Sequence, residues 1–440
     1  MKPSGLVLNL RSAVAHTRGS VRRAMSETLA PPSSQLSLGP RQPEIEVALL
    51  TGCQDRHYAF GLAMSLVSRG VRLDIIGSDE VDCAEMHATP RLKFFNLRGS
   101  QRRGATVARK VLRVLMYYAR LVRYTTRAKP RIFHILWNNK FEFFDRTFLM
   151  LCYKLRGKKL VLTAHNVNAA RRDSTDSPFN RFTLRVQYHL SDHIFVHTKK
   201  MKTELVETFG VRERAVTVIP YGINNAVPDT DLTADRARRR LGIKGGERTI
   251  LFFGAIAPYK GLDLLVEAFQ QIAAQNVDYR LIVAGMPKGG CEEYLAKIRE
   301  EMSRIGEGRV VQKIEYIPDD EVELYFKAAD VLVLPYRQIF QSGIFFLSYS
   351  FGLPVIAADV GSFREDILEG RTGFLCKPSD SADLALTIDK YFRSDLFMHL
   401  SNRRHEIRKY ALARHSWEVV GEMTDAVYGD LLRKWGPDPS

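Results

Sequence analysis

The sequence predicts an α/β fold built from two consecutive doubly wound, Rossmann-like domains that face a central cleft. Three observations carry this. The chain has 440 residues, more than one ordinary core organises and comfortable for two. Short apolar runs of strand length alternate with helical patterns in two separate series. Between the series, residues 224–249 are polar and contain Pro228 and Thr230. A hydrophobic content of 45% and a charged content of 26% belong to a folded globular chain and exclude wholesale disorder.

Residues 1–43 read as a disordered basic tail, with six basic residues, one acid and the run Pro31-Pro32-Ser33-Ser34. The first domain is expected over 44–225. Its strands are Ile45–Leu50, Leu73–Gly77, Ile132–Leu136, Leu160–Thr163, His193–His197 and Val216–Ile219, and a helix is expected over Ala59–Arg69. A second domain is expected over 226–415, in which a helix at Ala234–Leu241 precedes the strands. Its strands are Thr249–Gly254, Tyr279–Ala284, Ile314–Ile317, Val331–Leu334, Pro354–Ala357 and Gly373–Cys376. Buried strands spaced by helices of this length give a parallel sheet covered on both faces. Ser342 to Ala358 is uncharged for seventeen residues, but Gly343, Gly352 and Pro354 make it a buried helix followed by a strand rather than a membrane span.

Charge is unevenly divided. Residues 1–228 hold 37 Lys and Arg against 17 Asp and Glu, whereas the remainder holds 28 against 32. From Met86 to Phe141 there are fourteen cations and no acid. Within that stretch Val107, Val111, Val114, Tyr118 and Leu121 recur at helical spacing, and Arg109, Arg113, Arg120, Arg123 and Arg127 follow a similar period around the helix. Such a helix suits an anionic membrane surface, with the arginines on headgroups and the apolar side facing inward. A solvated basic face packed on its own domain fits the same pattern. Nucleic acid fits less well, because no zinc finger, RNP-type strand or helix-turn-helix is recognisable. The five scattered cysteines form no metal-type pair or disulfide framework, which favours a reducing compartment. No apolar run in the first forty residues exceeds Gly5–Leu8, too short for a secretory signal core. The expected location is cytoplasmic, peripheral on the cytoplasmic face of the membrane.

Three segments of the second half carry chemistry. In Phe253–Asp263 a strand runs through Gly254 into a short loop and places Lys260 just before an amphipathic helix; ammonium and helix N-terminus both favour phosphate. In Pro335–Ile344 a strand leads to Ser342, a good N-cap, and to Gly343, which lets a ligand approach the backbone. Asp359–Glu365 leaves another strand toward the same cleft. Each segment is also compatible with an ordinary turn that binds nothing. Asp319-Asp320 read as a turn and helix cap rather than a metal site, and no metal is expected. His134, His193 and His197 lie inside strand patterns and read as core residues.

The order GAIAPYKGLDLLVEAF, YIPDDEVELYFKAADVLVLPY, QSGIFFLSYSFGLPVIAADVGSFREDILEGRTGFL resembles the donor-binding half of GT-B glycosyltransferases, most of all the retaining family 4. LTAHNV, SDHIFVHTKKMKTEL and VTVIPYGIN resemble that family's acceptor domain and interdomain linker, and Trp417 its helix crossing back to the first domain, here 416–440. The resemblance spans roughly residues 44–430.

It implies a nucleotide-sugar donor, a lipid-linked or polysaccharide-precursor acceptor, and transfer with retention of anomeric configuration. Lys260 matches the phosphate-binding lysine. Ser342, Gly343 and Ile344 match the diphosphate loop, Tyr316 and Ile317 the base-lining position, and His165 a position near the transferred sugar. Two glutamates frequent in the family fall on Ile339 and Leu347, and an arginine that often follows the strand glycine is Ala255. Sugar and ribose contacts then fall to Gln338, Gln341 or Glu365. The alternative is a non-catalytic GT-B protein that binds nucleotide-sugar or lipid-linked glycan. A nicotinamide enzyme is excluded by Thr51-Gly52-Cys53-Gln54-Asp55-Arg56, which is no GxGxxG.

Overall fold

The computed structural model describes residues 45–101, 107–139, 141–172, 175–223 and 227–433. The basic tail expected over 1–43 lies outside them, as does the end of the last helix. The first sheet comprises β1 (Glu46–Leu50), β2 (Arg72–Gly77), β3 (Leu92–Asn96), β4 (Ile132–Ile135), β5 (Lys159–Thr163), β6 (His193–Val196) and β7 (Val216–Val218). All pairs are parallel, in the order β3-β2-β1-β4-β5-β6-β7. The second comprises β8 (Arg248–Phe253), β9 (Tyr279–Ala284), β10 (Val310–Lys313), β11 (Val331–Leu334), β12 (Val355–Ala358) and β13 (Gly373–Cys376), parallel in the order β10-β9-β8-β11-β12-β13. The helices that matter below are α1 (Arg56–Ser68), α2 (Val107–Arg127), α3 (Pro178–Leu190), α4 (Leu262–Gln275), α5 (Asp319–Ala328), α6 (Gly343–Ser350), α7 (Leu400–His415) and α8 (Trp417–Arg433).

Central strands such as Ile132–Ile135 and Val331–Leu334 are buried throughout, which is why they stand out as apolar runs. Two of the four edge strands, β3 and β10, do not. Residues Leu92–Asn96 form a strand with only Leu92 buried, so no apolar run announces β3. At the other edge the strand is Val310–Lys313, and the expected Ile314–Ile317 is the loop after it. In that loop Ile317 is buried as an anchor.

The basic helix forms as expected, but its buried stripe differs. Tyr117, Tyr118, Leu121 and Thr125 are buried and Val114 is partly so, whereas Val111 is 51% exposed; the Val107 side chain lies outside the description. Leu112, Leu115 and Met116 are also exposed. An inward-facing apolar side therefore holds only for the second half of α2.

After α7 the chain turns at Ser416 and α8 packs on α1. Trp417 occupies the space left by two glycines: a Cβ would lie 2.1 Å from its indole at Gly61 and 2.4 Å at Gly222. Its Nε1–H donates to the Ile223 carbonyl at 2.9 Å, and its own carbonyl accepts from Ser65 at 2.6 Å. The last helix is thereby pinned to the first sheet's layer and to the linker. All five cysteines are free thiols.

Candidate functional site

Each sheet reverses its winding once, between β1 and β4 and between β8 and β11, and ligands of such sheets sit off the carboxyl ends of these strands. Here the loops leaving those ends meet across a cleft of about 390 Å3, lined from one side by Asp55, His57 and Tyr58 and from the other by Lys260, Ser342 and Gly343.

The second-domain wall is built on glycine and a short turn. Gly254 ends β8 with φ +107°, a conformation that favours glycine. A Cβ there would lie 3.3 Å from Ile344 and 3.7 Å from Lys260 Nζ, so backbone, ammonium and the start of α6 are close neighbours. The 3-10 turn Pro258–Lys260 aims Lys260 inward. Lys260 is 8% exposed, and its ammonium donates to Tyr336 Oη at 3.1 Å, which lies 3.3 Å from Ser342 Oγ. Among the described residues Lys260 forms no ion pair. The turn is held from behind: the Arg337 N–H donates to the Tyr259 carbonyl at 2.8 Å, and its guanidinium pairs with Asp263 at 2.6 Å. Burial pushes the Asp263 carboxyl upward, but hydrogen bonds from Arg337 and Tyr294 outweigh it and hold the group below the usual carboxylate range.

Ser342 occupies the N-cap position of α6 with extended backbone, yet its hydroxyl does not cap the helix and turns instead to Tyr336. That corrects the expected side-chain cap. First-turn N–H groups of a helix lack intrahelical acceptors, so those of Gly343 and Ile344 remain available at the cleft beside the ammonium.

The first-domain wall is aromatic. His165 follows β5, stacks on Trp137 with ring centroids 4.2 Å apart, and meets Tyr58 edge-on at 4.7 Å. His197 Nδ1 lies 3.3 Å from the Ile219 carbonyl and must be the donor there. Its Nε2 then accepts from His165 Nδ1 at 3.0 Å, which leaves His165 Nε2 as a bare lone pair, buried and without a donor. Burial, then the neighbouring His197, holds His165 well below the usual imidazole range, and burial lowers His197 to about 4. Both rings are neutral at pH 7. His134 and His193 are core residues, bonded to Tyr428 and Thr163 and to Thr217 respectively.

Contacts between the two walls complete the cleft. Tyr221 stacks on Phe346 of α6, centroids 5.2 Å apart, and donates to Asp55 at 3.2 Å. Asp55 also caps α1, accepting the Tyr58 N–H at 3.0 Å. His57 approaches Asp319 at the start of α5, with 3.4 Å between Nε2 and Oδ2.

Two family models match this chain: Glycosyltransferase Family 4 over residues 56–227 and Glycosyl transferases group 1 over residues 233–414. The chain belongs to the GT-B glycosyltransferases of family 4. Curated relatives of this family 4 protein include the D-inositol 3-phosphate glycosyltransferases of Stackebrandtia nassauensis, 28% identical over 62% of this chain and 62% of that one, and of Geodermatophilus obscurus, 29% identical over 54% and 52%. The matches thus span about half to three fifths of these relatives' length. Among solved structures, the sucrose-phosphate synthase of Thermosynechococcus elongatus superposes with a TM-score of 0.72 at 17% identity, covering 89% of this chain and all of that one. HepE of Anabaena in complex with UDP and glucose gives 0.68 at 16% identity, covering 88% and 100%. These likenesses bear on the fold, which is GT-B.

Several sequence-derived residues of this family 4 chain converge and others do not. Lys260, Gly254, Ser342, Gly343 and Ile344 gather at one end of the cleft. Ile339 and Leu347 line it too, and Gln341 with them, so apolar side chains stand where the family often has carboxylates. Tyr316 is 65% exposed on the loop before α5, Ile317 is buried beside it, and neither lines the cleft. Glu365 is exposed outside the cleft wall. His165 sits behind Tyr58 rather than in the cleft lining. Sequence reasoning missed Asp55, Tyr58, Tyr221 and Trp137; Tyr221 lay inside the quoted VTVIPYGIN linker, and Asp55 inside the segment tested for a dinucleotide fingerprint.

Proposed function

We propose that this protein transfers a sugar from a nucleotide-sugar donor to a lipid-linked or polysaccharide-precursor hydroxyl, with retention of anomeric configuration. The observation that carries the reading is Lys260, a buried ammonium with neutral partners beside the free N–H groups that open α6. A buried cation without a counter-ion is costly unless an anion completes it, and a diphosphate does so. As the nucleoside diphosphate departs, the sugar becomes oxocarbenium-like and negative charge grows on the leaving phosphate. Lys260 and the α6 N–H groups stabilise that charge. His165 Nε2 accepts a hydrogen bond from a sugar hydroxyl once Tyr58, which stands between it and the cleft, gives way. Asp55, the carboxylate lining the cleft, takes the role of hydrogen-bond acceptor that Ile339 and Leu347 cannot fill. HepE in complex with UDP-glucose supports the donor class.

Support for a membrane-linked acceptor lies on the first domain. Phe143, Phe148, Phe179 and Phe182 are each more than 40% exposed, and Phe143 packs on Phe148 and Phe179 at 5.7 and 5.0 Å. Leu112 and Leu115 of α2 are exposed as well, on the same helix as Arg109, and exposed apolar side chains in so basic a domain suit a peripheral approach to anionic lipid. No helix among the described residues is long and apolar enough to cross a membrane. The relatives named for inositol phosphate give a second acceptor class. Incubation with radiolabelled UDP-glucose and either a membrane lipid extract or inositol 3-phosphate separates the two. Label in the organic phase is the expected result; label only in a water-soluble product would transfer the reading to the phosphorylated polyol.

A further inference from the structure

A second basin, of about 510 Å3, lies between α2 and the first sheet, running from the amino ends of β1 and β2 along β3 to Leu97. One wall is the last turns of α2, bearing Arg120, Arg123 and Arg127; the other carries Lys93 of β3, and Lys129 closes the end. Its floor is apolar: Phe95 packs against the Tyr124 ring with centroids 5.3 Å apart, and Leu97 and Pro130 adjoin them.

Charge in this basin is not balanced. Two carboxylates line it, and both are engaged. Glu46 lies 3.7 Å from Arg72, and Asp74 accepts from Tyr124 Oη at 2.7 Å. Burial, against the pull of Tyr124 and Lys93, leaves the Asp74 carboxyl above its ordinary range. Lys93, Arg123, Arg127 and Lys129 form no ion pair among the described residues. Arg120 donates to the Leu97 carbonyl at 3.2 Å, which fixes the rim. Cations that cluster above an apolar floor and outnumber its two acids are arranged for an anion that carries several oxygens and an apolar body.

We propose that this basin is a phosphate-binding site, separate from the donor cleft, for a phosphoryl group attached to an apolar body. Arg123 and Arg127, one helical turn apart on the exposed face of α2, take the phosphoryl oxygens, and Phe95, Leu97 and Tyr124 take the body. This assigns three of the five arginines of the basic helix to a concave site rather than to a flat basic face. The inference does not depend on the transfer chemistry. The phosphoryl group has two natural sources, a phospholipid headgroup or a soluble phosphate ester.

Calorimetric titration with inorganic pyrophosphate tests the site, with sedimentation on phosphatidic acid vesicles as the second arm. Arg123→Glu/Arg127→Glu is compared with Lys260→Ala, and circular dichroism melting confirms that both variants fold. The expected result is pyrophosphate binding that survives Lys260→Ala and weakens by about tenfold or more in the double variant. Vesicle binding lost in the double variant identifies the headgroup as the source; pyrophosphate binding without vesicle binding identifies a soluble ester. Binding abolished by Lys260→Ala places the anion in the donor cleft and overturns the proposal. Equal binding by wild type and double variant, or no binding of either probe, overturns it as well.

Discussion

The imidazole of His165 lies flat on the indole of Trp137, with planes 8° apart and centroids separated by 4.2 Å. The stack fixes the ring while His197 fixes its tautomer, so the one unsatisfied nitrogen of His165 is an acceptor and not a donor. A neutral acceptor fixed in orientation serves to position a hydroxyl and does not deliver a proton.

His165→Ala is accordingly expected to lower kcat/KM by about tenfold or more while leaving nucleoside diphosphate affinity nearly unchanged. His165→Gln, whose side-chain carbonyl can accept, recovers part of the loss. The split between transfer kinetics and UDP titration checks the assignment.

Lys260→Met is expected to behave in opposite directions in two assays. Nucleoside diphosphate affinity falls by about 10- to 100-fold, the worth of a charge-assisted hydrogen bond. Thermal stability of the free protein holds or rises, because a buried ammonium with neutral partners is replaced by an apolar chain of similar length. A loss of both would instead assign Lys260 a structural role.

Gly254→Ala is expected to cost about 1–3 kcal/mol, because φ +107° is strained for any residue with a Cβ. Denaturant unfolding measures that term. The new methyl also meets Ile344 at 3.3 Å, so donor affinity falls together with stability.

Acid lability follows from three buried histidines, His134, His197 and His415, and the half-buried His165. Burial lowers His134 to about 3 and His197 and His415 to about 4, and His165 well below its ordinary range. Above about pH 6.5 folded and unfolded chains hold these rings neutral and stability is full. As pH falls from there toward 4, the unfolded chain binds protons that the folded one refuses, and stability drops. The melting temperature should be level at neutral pH and decline below about 6.5. His415→Gln, which removes a ring 3.8 Å from Asp366 with both nitrogens unpartnered, should make the decline shallower.

Much of this fold was legible because central strands are buried on both faces and read as unbroken apolar runs, from Val47–Leu50 to Val355–Ala358. The edge strands β3 and β10 were not, since Lys93 and Asn96 in the one and Gln312 and Lys313 in the other break the apolar run. That Lys260, Gly254 and Ser342–Ile344 come together at the cleft could be anticipated, because a strand end, a glycine, a cation and a helix start follow one another in sequence. Asp55, Tyr58, Tyr221 and Trp137 could not, because three distant segments bring them together only in three dimensions. The basic helix lay between these cases. Its charge was plain, but which face is covered depends on neighbours that its own period does not reveal.

The most direct test of the transferase reading is nucleotide release from UDP-, GDP- and ADP-sugars with a membrane lipid extract as acceptor, run with Lys260→Ala in parallel. Turnover of one donor by the wild type, abolished or nearly so in the variant, is the predicted result. Donor binding without turnover on any acceptor would contradict it, and Ile339 and Leu347 would then mark a GT-B protein that binds its nucleotide-sugar and leaves it intact.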